Sequence, residues 1–211
     1  MSAPVVPPPH PVLLLVTGPS GGGKTTVATR LLEQSPDLRR VVTCTTRPPR
    51  KGERDGVDYY FLERTRFEHG IGRGDFLEHA VVYGNLYGTR RTDVVEGLAA
   101  GWNLVVNLDV QGAENLRQVS AVEPLVARSL VTVFLTPATP DELERRLRRR
   151  AQDDEAVIRQ RLAEARSELH AAATCDYVVW SGTIEEDFRR VGAILEAERW
   201  RRARVKIADW K

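Results

Sequence analysis

The chain has 211 residues, 42% of them hydrophobic, which is enough for one real core with inserted subdomains and too short for two comfortable domains. With 31 Lys and Arg against 29 Asp and Glu, the formal charge of +2 excludes a whole-surface electrostatic case for nucleic acid or membrane, so any strong positive field is local. Cys44 and Cys175 lie far apart and suggest no disulfide scaffold, and His10, His69, His79 and His170 form no metal-ligand spacing with them, which argues against a metal held in a protein cage.

Residues 1–11, with Pro4, Pro7, Pro8, Pro9 and Pro11, read as a disordered proline-rich leader without the basic region and long apolar stretch of a secretory signal. No apolar run approaches membrane-span length, so the expected setting is cytoplasmic. Val12 to Val16 is a short unbroken apolar run, the pattern of a fully buried parallel strand. Val27, Ala28, Leu31 and Leu32 recur at helical spacing up to Ser35-Pro36, and Val41 to Thr45 reads as a second strand. Thr46 to Asp58 is then a polar loop. Tyr59 to Leu62 and Phe76 to Val82 are short β-type runs around a short helix near Arg66, which together read as a small antiparallel insertion.

Alternation then returns, with a helix over Thr92 to Ala100, a strand over Asn103 to Leu108, a helix over Gln111 to Val119, a strand over Val131 to Leu135 and a helix over Asp141 to Arg149. Ile158, Leu162, Ala165 and Leu169 give one buried stripe on a further helix. Tyr177 to Trp180 reads as another buried strand, and Ile184, Phe188, Val191 and Leu195 as a last helix whose basic end, Arg199 to Arg204, is solvated. The implied class is α/β, a doubly wound parallel sheet with ligands at the carboxyl ends of its strands.

Between the first strand and helix stands Gly18-Pro19-Ser20-Gly21-Gly22-Gly23-Lys24-Thr25, a full match to the phosphate-binding pattern G-x-x-x-x-G-K-[ST] in the strand-turn-helix context that pattern requires. Its glycines let several N–H groups point at one anion, Lys24 reaches the outer phosphates, and the Thr25 hydroxyl is the usual ligand of Mg2+. A second stretch, Thr43-Cys44-Thr45-Thr46-Arg47-Pro48-Pro49-Arg50-Lys51-Gly52-Glu53, sets two arginines three apart on a proline-stiffened segment, where their guanidinium forks can converge on another phosphate. Two separate anion sites are what a phosphotransferase needs.

These motifs, followed in order by Gly56-x-Asp58-Tyr59, Phe76-Leu77-Glu78, Gly84-Asn85-Leu86-Tyr87-Gly88-Thr89 and Leu108-Asp109-Val110-Gln111-Gly112, resemble the guanylate kinase family over roughly Val12 to Leu169. The resemblance implies a P-loop kinase core over 12–45 and 90–211, a GMP-binding insertion over about 46–89 and a helical lid over about 146–161. It implies ATP on Gly18, Pro19, Ser20, Gly21, Gly22, Gly23, Lys24, Thr25 and Thr26, with Mg2+ on Thr25 and the lid arginines Arg146, Arg150 and Arg161 closing over the phosphates. On the acceptor side it implies Arg47, Arg50, Tyr59 and Tyr87 on the GMP phosphate, Glu78 with Thr43, Gly88 and Thr89 around the guanine, and Asp109 acting at both sites. The chemistry of the base agrees: guanine presents N1–H and N2–H2, two donors that one carboxylate accepts together, whereas adenine presents a lone pair at N1.

The expected activity is therefore Mg2+-dependent phosphoryl transfer from ATP to GMP, catalysed by Lys24, Arg47, Asp109, Arg150 and Arg161, with hinge closure when both nucleotides are bound. The alternatives are a kinase of the same fold acting on another phosphorylated acceptor, and a non-catalytic protein-binding module, against which the intact Gly18, Gly23, Lys24 and Thr25 argue. Two positions depart from the family: Asn107 stands where a second acid is usual, and Ser181-Gly182 where asparagine and aspartate are common.

Overall fold

The protein is described here by a computed structural model that covers residues 8–149 and 155–207. The first apolar run forms β1 (Leu13–Thr17), buried at every position because it is the central strand of a five-stranded sheet and is covered on both faces. After the glycine-rich turn, α1 (Lys24–Gln34) buries Val27, Ala28 and Leu31. The expected second strand, Val41 to Thr45, is a strand only at β3 (Cys44–Thr45); β2 (Leu38–Arg40) precedes it, and the two belong to different sheets. Val41 N still donates to Val105 O of the main sheet at 2.9 Å, but the Thr43 and Thr45 carbonyls accept from Tyr60 N and Leu62 N, so the chain changes partners between them.

The second sheet is completed by β4 (Tyr60–Phe61), then, beyond α2 (Arg64–Arg73), by β5 (Phe76–Val82) and β6 (Asn85–Arg90), in the order β4-β3-β6-β5. It is mixed rather than purely antiparallel, because β3 and β4 run parallel while β6 is antiparallel to both β3 and β5. Cys44, Phe67, Phe76 and Leu86 give this piece its own small core, in which the Phe67 and Phe76 rings stack at 4.2 Å. Burial pushes the Cys44 thiol up to about 12, so it is a packing residue and not a nucleophile.

The main sheet resumes through α3 (Arg91–Ala99), β7 (Asn103–Asn107), α4 (Val110–Ser120), α5 (Pro124–Ser129) and β8 (Leu130–Pro137). It ends with α6 (Pro140–Arg149), α7 (Glu155–Glu168), a 3-10 turn over Leu169–Thr174, β9 (Tyr177–Ser181) and α8 (Ile184–Arg199). The strand order β2-β7-β1-β8-β9 is parallel throughout, with Leu15 opposite Val106 and Thr132. One face carries α1 and α8 over Leu14, Val16, Val105 and Leu135; the other carries α3, α4 and α5 over Leu13, Leu15 and Val106.

Other expectations change as well: Leu169, expected on the buried stripe, is exposed in the 3-10 turn. β9 is the edge strand and only half-buried: Val179 and Ser181 face inward, while Val178 and Trp180 are 45% and 56% exposed. The chain is tied down from His10, whose backbone N–H donates to Arg204 O at 2.8 Å, so packing begins inside the leader. The basic C-terminal end is solvated at Arg201 and Arg202, yet Arg204 is buried against Glu198 at 3.5 Å, and Tyr177 OH donates to the same carboxylate at 2.7 Å.

Candidate active site

The glycine-rich loop leaves the carboxyl end of β1 with Gly18 at φ 129 and Gly23 at φ 102, conformations that side chains disfavour. A Cβ at Gly18 would also stand 2.3 Å from Leu135 O, and one at Gly22 2.7 Å from it. The loop therefore runs pressed against the end of β8. Gly22 N closes the turn on Pro19 O at 3.0 Å, and Lys24 Nζ folds back over it, donating to Gly18 O at 2.6 Å and Pro19 O at 3.0 Å. Gly23 caps α1 without a side-chain hydrogen bond, which leaves the first-turn N–H groups for an anion. Thr25 and Thr26 are exposed on that turn.

A cavity of about 260 Å³ opens in front of the loop, lined by Ser20, Gly21, Gly23, Lys24 and Thr25 on one side. Thr43, Arg50 and Tyr59 line the opposite wall, so both sequence stretches face one space. Arg47 stands behind that wall. Its Nη1 and Nη2 each donate to Glu53 at 2.9 Å, its Nη1 also reaches Pro48 O, and its Nε donates to Tyr87 OH at 3.3 Å. The Tyr59 ring lies edge-on to Tyr87 at 6.0 Å and 5.4 Å from the guanidinium. Burial acts to raise the Glu53 carboxyl, but hydrogen bonds from Arg47 and the Arg50 amide outweigh it and hold the group below its ordinary value. Glu53 was visible in the motif without an assigned part; its place six residues after Arg47, across a proline turn, is what lets it clamp the fork.

Deeper in, β5 brings Glu78 to 4% exposure. Thr89 OH, on the neighbouring β6, donates to Glu78 Oε1 at 2.5 Å, while Oε2 has no hydrogen-bond partner among the described residues. Burial pushes this carboxyl up to about 7; the Thr89 hydrogen bond acts against the shift and the Asp109 charge adds to it. Asp109 caps α4, accepting from Gly112 N at 2.9 Å, and is itself raised by burial, against the pull of that amide and of Lys24. Both carboxylates crowd Gly112, where a Cβ would lie 3.0 Å from Asp109 Oδ1 and 3.2 Å from Glu78 Oε2. At Gly88 a Cβ would meet the Phe67 ring at 2.9 Å, so this residue offers the site backbone only.

Asn107 lines the cavity with its Oδ1 buried and unpartnered among the described residues. Thr25 and Asn107 line the cavity with oxygen donors and Asp109 stands close enough to Lys24 to feel its charge; hard oxygens of this kind fit Mg2+ carried on phosphate oxygens and waters better than a softer metal. No three His, Cys, Asp or Glu side chains converge as metal ligands among the described residues.

From α7, Arg161 Nη1 donates to Ser20 Oγ of the loop at 3.2 Å. Arg146 goes elsewhere: its guanidinium donates to Ser181 Oγ at 2.7 Å, Gly182 O at 2.8 Å and Glu142 at 2.7 Å, touching the loop's surroundings only through Ser181, 3.6 Å from where a Gly23 Cβ would stand. Arg150 lies outside the described residues. Two groups had no distinguishing sequence signal. Buried Asp187 receives Ser181 OH at 2.5 Å and Gly182 N at 2.8 Å behind the loop, and half-buried Glu168 of α7, raised by burial, feels both Lys24 and Asp109.

Comparison with known proteins agrees with this geometry. The family model described as guanylate kinase matches residues 10–198. A guanylate kinase of Myxococcus xanthus is 41% identical over 209 residues, 99% of this chain and 96% of that protein; one of Bradyrhizobium diazoefficiens is 40% identical over 193 residues, 92% of this chain and 85% of the relative. The crystal structure of guanylate kinase from Anaplasma phagocytophilum superposes with a TM-score of 0.76 at 32% identity, covering 95% of this chain and 92% of that one. In sequence over nearly its whole length, and in fold, the chain belongs to the guanylate kinase family.

Proposed function

We infer that the protein is an ATP:GMP phosphotransferase, converting ATP and GMP to ADP and GDP. The observation that carries the reading is Glu78: a carboxylate this deeply buried, with one oxygen satisfied by Thr89 and the other unpartnered among the described residues, is suited to a ligand with two adjacent donors. Guanine has that edge and adenine does not. Family membership and the cavity shared by the two phosphate-binding stretches support the same conclusion.

Phosphoryl transfer asks the protein for positioning and charge more than for covalent chemistry. In this reading the loop amides and Lys24 hold the donor phosphates. Arg50, with the hydroxyls of Tyr59 and Tyr87, holds the acceptor phosphate, and Arg47, its plane fixed by Glu53, adds its remaining N–H. Arg161, and by the family resemblance Arg150, bring positive charge to the phosphoryl group in flight, whereas Arg146 stays on Glu142, Ser181 Oγ and Gly182 O. Mg2+ would sit on Thr25 with Asp109 and Asn107 orienting its waters, and supplies charge neutralisation on the phosphates. The insertion and the lid act as mobile parts that close on their nucleotides and exclude water. Two free cysteines accord with a reducing, cytoplasmic setting. No helix among the described residues is long and apolar enough to cross a membrane.

A coupled assay of ADP release tests the reading. Turnover should require GMP and fall by about three orders of magnitude or more when AMP replaces it. Equal rates with both acceptors, or none with GMP, would overturn it.

A further inference from the structure

β5 and β6 are joined by a two-residue turn, Tyr83-Gly84, with φ 50 and 77. Left-handed conformation at both positions is the signature of a type I′ hairpin, whose first place suits asparagine, aspartate or glycine. Tyr83 is the one residue other than glycine with positive φ among the described residues, so a bulky ring stands where the backbone disfavours it. A strained conformation of this kind directs attention to the side chain.

The Tyr83 ring extends from the tip of the acceptor-side insertion to α7, the helix that carries the end of the lid, where its hydroxyl donates to Glu164 Oε2. Gln160 Nε2 holds the other oxygen of that carboxylate at 2.9 Å. Glu164 lies three residues beyond Arg161 on α7, and spacing of three places the two on neighbouring positions of one helix face. Arg161 reaches Ser20 of the donor cradle from that face, while the Ile158 and Ala165 side packs inward. The one helix thus touches the insertion through Glu164 and the glycine-rich loop through Arg161.

We propose that Tyr83 is a positioning residue for the transfer: its hydroxyl, received by Glu164, fixes α7 so that Arg161 stands over the donor phosphates when the insertion has closed on its nucleotide. The proposal rests on the phosphotransferase reading above. It makes the seating of the lid depend on the acceptor side, because the ring is carried by the insertion and its partner by α7. ATP alone, with the hairpin swung out, leaves Arg161 without this support and so slows loss of the phosphoryl group to water.

The test is steady-state kinetics on the full chain with three variants, Tyr83→Phe, Tyr83→Asn and Glu164→Gln, together with the double variant Tyr83→Phe/Glu164→Gln. Removing the hydroxyl should lower kcat roughly tenfold, the scale of a mild misplacement of a charged group, with KM for GMP and the melting temperature nearly unchanged. Tyr83→Asn gives the turn a residue it favours, so its melting temperature should equal or exceed the original while kcat falls at least as far. Stability and turnover moving in opposite directions is a result that a merely structural tyrosine would not give. The double variant should be no slower than the slower single one. Hydrogen exchange of α7 with GMP and a non-hydrolysable ATP analogue gives a readout apart from turnover: protection should drop in Tyr83→Phe. Full kcat and protection in both Tyr83 variants, or losses that multiply in the double variant, would overturn the proposal and leave the phosphotransferase reading standing. Absence of GMP-dependent transfer in the unaltered protein would overturn both.

Discussion

Replacing Glu78 by glutamine removes a charge and keeps the shape, which makes its two effects separable. In the ligand-free protein the change should stabilise the fold at neutral pH. The carboxyl is 4% exposed and pushed up from an ordinary 4.5 to about 7, so folding takes up a proton between those values. A group raised in this way contributes stability that is full below its unfolded pKa and is lost as pH rises through the folded one. The loss is at most about 3 kcal/mol across that window, at 1.36 kcal/mol for each unit of pKa, and the glutamine variant lacks it. With GMP the sign reverses. An amide offers guanine one acceptor and sets its own N–H2 against the other donor, a mismatch of about 3–4 kcal/mol or roughly a hundred- to a thousandfold in kcat/KM. The unaltered protein should also bind GMP better as pH rises from 6 to 8, because guanine needs the ionised form. Urea titrations at pH 5 and 8, with kcat/KM for GMP and AMP at each, measure all of this. A variant that discriminates GMP from AMP as well as the original does, or whose stability declines with pH just as steeply, would refute the reasoning.

Other consequences follow from contacts already described. Gly18→Ala places a Cβ 2.3 Å from Leu135 O and should weaken ATP binding about a hundredfold, which fluorescence titration with a labelled ATP analogue would register; unaltered affinity would contradict the close packing of the loop. Arg204→Ala takes the buried cation from Glu198, leaving it Tyr177 OH and the exposed Arg201, and should cost about 3 kcal/mol in urea unfolding, much of it recovered by adding Glu198→Gln, whereas a cost below about 1 kcal/mol would show the pair to be dispensable. Chelating divalent cations should abolish transfer while leaving the circular dichroism spectrum and GMP binding intact, since the acceptor wall is built from protein groups alone.

The strand, glycine turn and helix start between Leu13 and Thr25 were legible in the sequence because their constraints are local. Strands with unbroken apolar runs were equally plain, and Phe76 to Val82 forms β5 as expected. What stayed hidden depends on partners distant in the chain. Nothing between Val41 and Thr45 announces that its hydrogen bonds pass from Val105 to Tyr60 and Leu62, and the apolar run of β9 hides that it is an edge strand with Val178 and Trp180 on its exposed face. α5 is six residues long, too short for a helical period to declare itself. Among the site residues, motif positions were found as candidates, but the bidentate hold of Glu53 on Arg47, the turn of Arg146 toward Ser181 and the place of Asp187 behind the loop are side-chain directions that spacing does not encode.

The small core of the insertion shares no buried residue with the two clusters that flank the main sheet. The insertion's own core is only four buried side chains, and the piece is tied to one of the larger clusters through Leu77 of β5, so it has less to lose on opening than the sheet does and its amides should exchange with solvent as a faster class. On gentle warming, the chain should then let go of GMP while it still keeps its grip on ATP.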